Sequence, residues 1–104
     1  MDAKRWLPVE LVCIRHAQSI GNEAGKRARQ GDLTIYTPEF RAIASANWRL
    51  TPRGADDARR IGTLLRAVIR FPFTHYMVSP LVRTIETAGN LGIPGAKWSL
   101  ELYS

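Results

Sequence analysis

An arginine and a histidine stand side by side as Arg15 and His16, directly after an apolar run of the sequence. A neutral imidazole can attack phosphorus as a nucleophile. A guanidinium can bind phosphate oxygens through charge-assisted, forked hydrogen bonds. Asn22, a little further along, adds a neutral hydrogen-bond donor. These residue types point to phosphoryl transfer at this place in the chain.

The element that positions this pair is the apolar run at residues 9–14, which predicts a buried β-strand bounded by Pro8. Open α/β sheets bind their ligands at the carboxyl ends of strands, which is where Arg15 and His16 would lie. Cys13 is the single cysteine of the chain. Because it lies within this run, we expect it to be a small buried hydrophobic residue rather than a nucleophile.

A second arginine, Arg83, follows a predicted strand at residues 75–78. Ser79 and Pro80 have the residue types of a helix cap and a first-turn proline, so they predict a helix start there. The carboxyl ends of parallel strands open at the same edge of a sheet, so we expect Arg83 to lie near Arg15 and His16. The free N–H groups of the helix N-terminus would add attraction for an anion.

The other elements alternate between helix and strand. Thr51 and Pro52 predict the start of a helix, and apolar residues recur at helical spacing after them until Pro72. The remaining predicted elements are a helix or partial helix at 18–31, an irregular connection at 31–50 with a short helix at 39–46, and a strand at 97–103. This alternation predicts an α/β fold with a parallel sheet.

Three segments in order resemble the signature of the histidine phosphatase superfamily, also called phosphoglycerate mutase-like. They are residues 11–22 (Leu-Val-Cys-Ile-Arg-His-Ala-Gln-Ser-Ile-Gly-Asn), residues 50–54 (Leu-Thr-Pro-Arg-Gly) and residues 79–88 (Ser-Pro-Leu-Val-Arg-Thr-Ile-Glu-Thr-Ala). An Arg-His pair alone would be weak support for a family, whereas three elements in the family's order are strong support. The resemblance implies a three-layer α/β/α fold with a mainly parallel sheet.

The resemblance also implies roles for individual residues. His16 would be phosphorylated transiently, and Arg15 and Arg83 would hold the phosphoryl group. Asn22 would contact that group or order the loop, and Gln18 matches a position of the motif that we take as substrate-binding. The implied activity is hydrolysis of a small phosphomonoester, with no metal and no cofactor.

Two parts of the family's pattern are missing from this sequence. The family uses a second pocket histidine in a downstream Gly-His pair, and an acidic proton donor. His75 precedes the second predicted strand, so we interpret it as structural or exposed. Glu101 imitates the donor segment but lies within the predicted third strand, and Glu86 is expected to be an exposed helical residue. Residues 1–104 therefore look like a single, partial domain, incomplete at its C-terminus.

Alternatives remain open at this point. A truncated or degenerate module would bind phosphate without turnover, and a mutase is less favoured because its aromatic-rich Gly-Trp segment is absent. If Arg83 did not bind phosphate, it would form a surface ion pair with Glu86 or Glu39. The aromatic residues of the irregular connection either line a substrate lid or anchor the loop, and we prefer the anchor for Trp48. These aromatic residues are Tyr36, Phe40 and Trp48.

Composition narrows the class of partner. The 104 residues include 15 Lys and Arg against 9 Asp and Glu, a net charge of +6. This charge suits an anionic substrate, and no nucleic-acid motif is present. No apolar run approaches the length of a membrane span and no signal peptide is evident, so we expect a cytoplasmic protein. An uncovered third strand would favour a homodimer.

Overall fold

A computed structural model describes residues 11–100 of the chain. The elements are α1 (Ile20–Arg29), α2 (Pro38–Arg41), a 3₁₀ helix (Ser45–Asn47), α3 (Pro52–Val68), β1 (Tyr76–Val78), α4 (Val82–Leu91) and β2 (Trp98–Leu100). Helical elements precede the first strand, and strand and helix alternate, as the sequence predicts, only from β1 onward. Across residues 11–100, no helix has the length and apolar character needed to cross a membrane.

The two strands form a small parallel sheet, with Tyr76 opposite Trp98 and Val78 opposite Leu100. Helix α4 connects them, so β1, α4 and β2 form a βαβ unit. This arrangement confirms the predicted parallel pairing. The carboxyl end of β1 faces the start of α4, where Arg83 is the second helical residue.

The predicted first strand is wrong for the part of it that the structure describes. Residues 9 and 10 lie outside the described residues, and residues 11–14 have no regular secondary structure. Leu11 and Ile14 are 68% and 39% exposed, and Cys13 is exposed rather than buried. The segment shares an apolar cleft with Met77 of β1. It therefore borders the same cleft as the sheet, and residues 11–14 lack the main-chain hydrogen bonds that define a strand.

Helices α1 and α3 begin as their capping residues dictate. The Ser19 side chain accepts a hydrogen bond from the backbone N–H of Asn22, and the Asn22 side chain accepts one from the backbone N–H of Ser19. This reciprocal pair is a capping box. At α3, the Thr51 hydroxyl accepts from the Gly54 N–H at 3.0 Å, and Pro52 occupies the first helical position. Both starts satisfy N–H groups that a helix leaves unpaired.

The predicted start of α4 at Ser79 is wrong, because the helix begins at Val82. Its cap position is Leu81, which makes no side-chain capping hydrogen bond. The Ser79 hydroxyl donates instead to Thr84 Oγ1 at 3.0 Å, and Thr84 Oγ1 lies 2.8 Å from the Leu81 carbonyl. These bonds close a turn ahead of the helix, so the helix begins later than the sequence predicts. Arg83 still lies in the first turn, as expected.

The core is formed by α1, α3 and α4 and consists mainly of small residues. The buried hydrophobic residues are Ala24, Ala58, Ala88 and Leu91. At Gly62 of α3, an added Cβ would collide with the Leu91 carbonyl oxygen of α4. Small side chains therefore let the two helices approach closely, and this contact holds the end of α4 against α3.

The connection between α1 and α3 carries two short helices rather than the single predicted helix at 39–46. Phe40 stacks on Trp48 with ring centroids 5.8 Å apart, and Tyr36 meets Phe40 edge-on at 5.5 Å. The Trp48 ring lies against Gly21 so closely that a Cβ there would collide with it. Trp48 thus anchors the connection to α1, in agreement with the preferred interpretation.

Candidate functional site

His16 is half-buried in the segment between the irregular residues 11–14 and α1. Its Nδ1 lies 2.7 Å from the Ala17 carbonyl oxygen. Since a carbonyl oxygen only accepts hydrogen bonds, Nδ1 is the ring nitrogen that carries hydrogen in this contact. In the neutral ring the lone pair is then on Nε2. The local backbone therefore selects the nitrogen that is free to act as a nucleophile.

The segment that carries His16 is attached to α4. The Ala17 N–H donates to Thr87 Oγ1 at 3.1 Å, and the Thr87 hydroxyl donates to the Arg83 carbonyl at 2.6 Å. Thr87 is 5% exposed. The histidine segment and the first turns of α4 are thus joined through one buried hydroxyl group.

His16 lines an open cleft of about 220 Å³ at the carboxyl end of β1, together with Ser79, Thr84 and Thr87. His16 therefore lies near the carboxyl end of β1, although the strand that was expected to precede it is not formed in residues 11–14. Arg15 is exposed and lines a second open groove, against α3, which His16 and Thr87 also line. The structure therefore brings Arg15, His16 and Thr87 together.

Arg83 has a different set of contacts. The residue is half-buried as a whole, and its Nη1 donates to the Ser45 carbonyl at 2.8 Å in an exposed hydrogen bond. Among the described residues, Arg83 lines neither the cleft nor the groove that His16 lines. Within residues 11–100 it also forms no ion pair with Glu86 or Glu39. The surface pairing that we considered as an alternative is therefore not formed.

Asn22 and Gln18 hold the segment in place. Asn22 Oδ1 accepts from both the backbone N–H and the hydroxyl of Ser19, each at 3.0 Å. Gln18 Oε1 accepts from the Thr51 hydroxyl at 2.8 Å, and the Gln18 carbonyl accepts from the Thr51 N–H at 3.0 Å. These contacts order the loop, which is one of the two roles expected for Asn22.

Glu86 was expected to be an exposed helical residue, and the structure corrects this. Its side chain is 24% exposed and pairs with Arg49 Nη2 at 2.8 Å. It also accepts from the Leu50 N–H at 3.1 Å. The hydrogen bond from Arg49 lowers the pKa of the Glu86 carboxyl below its ordinary value, and the same bond raises the pKa of Arg49. Glu86 therefore anchors the end of the irregular connection to α4.

The segment after His16 also pairs with that anchored connection. Ser19 and Leu50 form an isolated antiparallel bridge, in which the Ile20 N–H donates to the Arg49 carbonyl at 2.9 Å. Helix α4 thus holds one side of the segment directly, through Thr87, and the other side through Glu86 and the connection. Residues 15–19, which we call the site loop, are therefore held from two directions. Such fixed positions are what a preorganised site requires.

His75 lies at the opposite end of β1 from this site. It is exposed, and its Nδ1 donates to the Thr74 carbonyl at 2.7 Å. This agrees with its interpretation as structural or exposed. Glu101 lies outside the described residues. Within residues 11–100, no three His, Cys, Asp or Glu side chains are grouped so that they could hold a metal ion.

Sequence reasoning missed the roles of Thr87 and Glu86. Thr87 belongs to the third motif and follows Arg83 by one helical turn, so its spacing was a usable signal. Glu86 offered no such signal, because its partners Arg49 and Leu50 are separated from it by 37 and 36 residues. Its role depends on where the connection lies in space.

The chain is similar to known proteins in both sequence and fold. A family model described as histidine phosphatase superfamily (branch 1) matches residues 11–99. One similar solved structure is a protein from Nakamurella multipartitia proposed to be the phosphohistidine phosphatase SixA, with a TM-score of 0.55 and 24% identity. The match covers 85% of this chain and 38% of that chain, so the present chain spans well under half of that protein's length. No curated protein sequence gives a significant match.

Proposed function

Because this chain belongs to the histidine phosphatase superfamily, we propose that it hydrolyses phosphomonoesters through a phosphohistidine on His16. The observation that carries the proposal is the 2.7 Å contact between His16 Nδ1 and the Ala17 carbonyl. This contact supports Nε2 as the attacking atom. The substrate class is a small phosphorylated molecule in the cytoplasm, which suits the positive net charge of the chain.

In the first step the Nε2 lone pair attacks phosphorus and a P–N bond forms. The ester P–O bond breaks, its electron pair stays with the leaving oxygen, and that oxygen takes up a proton. In the second step water attacks phosphorus, and the P–N bond breaks with its electron pair returning to Nε2 of the neutral imidazole. The attacking water releases a proton, which replaces the one taken up by the leaving oxygen, and inorganic phosphate leaves. One water is consumed for each alcohol and phosphate released. Phosphoryl transfer of this kind depends mainly on positioning and on stabilising negative charge.

Arg15 and Arg83 are the proposed phosphoryl-binding groups. Arg15 lies beside His16 in the groove against α3. Arg83 now donates to a neutral carbonyl, that of Ser45, and a phosphate dianion is a stronger partner for a guanidinium. Binding of substrate would therefore draw Arg83 from Ser45 to the phosphoryl group. Gln18 and Asn22 are proposed as additional substrate contacts through their amide N–H groups, since their oxygens hold the loop.

A non-catalytic phosphate-binding module is the second candidate. Among the described residues, the cleft that His16 lines at the end of β1 contains no carboxylate that could act as proton donor. The one described carboxylate that lines the groove against α3, Asp57, is ion-paired with Arg53 and Arg60. General acid assistance contributes about 10²–10⁴-fold to such reactions, so its loss would leave binding without measurable turnover. A mutase is the third and least favoured candidate.

For the fold, the finer arrangement that we propose is three α/β/α layers around a mainly parallel sheet.

The test is to trap a phosphoenzyme with a radiolabelled aryl phosphate. We expect the unchanged chain to carry an acid-labile, alkali-stable phosphate, and the His16→Ala variant to carry none. His75→Ala is the matched control, because His75 Nδ1 makes the same 2.7 Å contact with a neighbouring carbonyl but lies at the other end of β1. This control should label like the unchanged chain.

A stable adduct on folded His16→Ala would contradict the assignment of the nucleophile. Absence of an adduct on the folded, unchanged chain would favour the binding module instead. In that case inorganic phosphate should still bind, and Arg83→Ala should weaken this binding by about 10- to 100-fold, the loss expected for one charge-assisted hydrogen bond.

A further inference from the structure

We propose that Thr87 is a positioning residue that holds the His16 imidazole in its reactive orientation. This inference rests on the proposed function, in which His16 is the nucleophile. Thr87 would touch neither the substrate nor the phosphoryl group. It would act through Ala17, whose two backbone groups lie between the threonine and the histidine.

The hydrogen bonds form one continuous chain from α4 to the imidazole. The Thr87 hydroxyl donates to the Arg83 carbonyl at 2.6 Å, which leaves its oxygen as an acceptor. That oxygen accepts from the Ala17 N–H at 3.1 Å. The Ala17 carbonyl then accepts from His16 Nδ1 at 2.7 Å. The direction of each bond is determined, because an N–H only donates and a carbonyl only accepts.

Burial makes the hydroxyl difficult to replace. Thr87 is 5% exposed, so water has little access to compensate for a lost hydrogen bond. Removing the hydroxyl would leave the Ala17 N–H without its acceptor, and an unpaired N–H in a water-poor environment is unfavourable. We expect the Ala17 backbone to turn in order to find another partner. Its carbonyl would then no longer hold Nδ1.

The neighbouring residue in α4 supports the same arrangement. Glu86 accepts from the Leu50 N–H at 3.1 Å, and Leu50 is bridged to Ser19, just after the histidine segment. Two consecutive residues of one helix therefore hold the segment on both sides. Helix α4 also carries Arg83, so Thr87 fixes the nucleophile relative to the helix that supplies the proposed phosphate-binding arginine.

The experiment measures the tautomer of His16 by long-range ¹H–¹⁵N NMR in protein labelled at histidine. In the unchanged chain the neutral ring should carry its hydrogen on Nδ1. Thr87→Val keeps the shape of the side chain but removes the hydroxyl, so the Nδ1–H tautomer should lose its preference. Thr87→Ser restores the hydroxyl and should restore the Nδ1–H tautomer.

Thr63→Val is the matched control. Thr63 Oγ1 also donates to the carbonyl of the residue four positions earlier, Arg59, at 3.1 Å, but Thr63 is exposed on α3. This variant should leave the tautomer of His16 unchanged. In the phosphoenzyme assay, Thr87→Val should slow labelling on the order of 10²-fold, the loss typical of a small misplacement of a reacting group.

An unchanged tautomer in folded Thr87→Val would overturn the proposal. If that variant does not fold, hydrogen exchange in the unchanged chain decides: protection of the Ala17 amide supports the proposal, and exchange at the rate of an open loop contradicts it. The tautomer is read without turnover. A chain that forms no phosphoenzyme but keeps the Thr87-dependent tautomer would refute the proposed function while supporting the positioning role.

Discussion

At the residue scale, Glu86 determines where the end of the irregular connection lies. Its carboxylate accepts from two nitrogens of Arg49 and from the Leu50 N–H. Isolated surface ion pairs contribute little to stability. The pair of Glu86 with Arg49 is different, because the same carboxylate also accepts a hydrogen bond from the backbone N–H of Leu50. Leu50 in turn forms an isolated bridge with Ser19, just after the segment that carries His16.

The stabilisation by Glu86 should depend on pH. Its pKa in the folded chain is lowered below 4.5 by the hydrogen bond from Arg49, so the unfolded chain binds the proton more tightly. The stabilisation is therefore complete above pH about 4.5 and is lost as the pH falls through the lower, folded-state pKa. Glu86→Gln should cost about 1 kcal/mol of unfolding free energy at neutral pH, and less in acid.

Urea unfolding of both proteins at several pH values measures this difference. Glu23→Gln is the control, because Glu23 makes an ordinary i,i+4 pair with Arg27 along α1. Such helix-surface pairs contribute about 0.3–0.5 kcal/mol. A Glu86→Gln difference that does not change with pH would show that the carboxylate charge is irrelevant to the anchor.

At the element scale, close backbone approach decides how the helices sit against the site loop. A Cβ at Gly54, in the first turn of α3, would collide with the Gln18 carbonyl oxygen. Thr51, which caps the same helix, is hydrogen-bonded to both the backbone and the side chain of Gln18. The start of α3 and the residues after His16 are therefore packed as one unit.

Gly54→Ala should destabilise the chain by about 1–3 kcal/mol, the usual cost of forcing extra atoms into a packed site. Gly89→Ala is the control, since Gly89 lies in α4 and an added Cβ would meet nothing within 4 Å. Alanine is a better helix former than glycine, so this control should stabilise by about 0.5–1 kcal/mol. The midpoint of urea unfolding checks both values. Equal destabilisation by the two substitutions would contradict the packing argument.

At the scale of the whole molecule, the described residues include more exposed large apolar side chains than buried ones. Among the described residues, Leu64, Val68, Met77 and Leu100 are each more than half exposed. The buried hydrophobic residues, in contrast, are three alanines and Leu91. In the described part of the chain β2 pairs only with β1, so among residues 11–100 no strand covers its other edge. Such an edge favours pairing with another chain.

We therefore predict that the isolated chain forms a homodimer through β2. Analytical ultracentrifugation over the micromolar range should detect association. Leu100→Lys, which places a charge on the exposed end of β2, should weaken that association, because charged edge residues oppose strand pairing. Leu33→Lys is the control, at a similarly exposed leucine of the irregular connection. A monomer at every concentration would contradict the prediction.

The sequence by itself determined the family and some of the local elements. Thr51 and Pro52 set the start of α3, and the alternation of elements predicted the parallel pairing of β1 with β2. The position of Arg83 in the first turn of α4 was also predictable. These features follow from capping, periodicity and chain order, which act between residues close in sequence.

Only the tertiary structure decided how the site loop is held. Thr87 and Ala17 are 70 residues apart, and Glu86 and Leu50 are 36 apart. It also decided that residues 11–14 border the same cleft as β1 without pairing, although their apolar pattern favours a strand. An apolar run shows only that its residues would be stabilised by burial, whereas a strand also requires a partner at the right distance and register. Whether such a partner lies beside residues 11–14 depends on the tertiary fold, and no local sequence pattern encodes it.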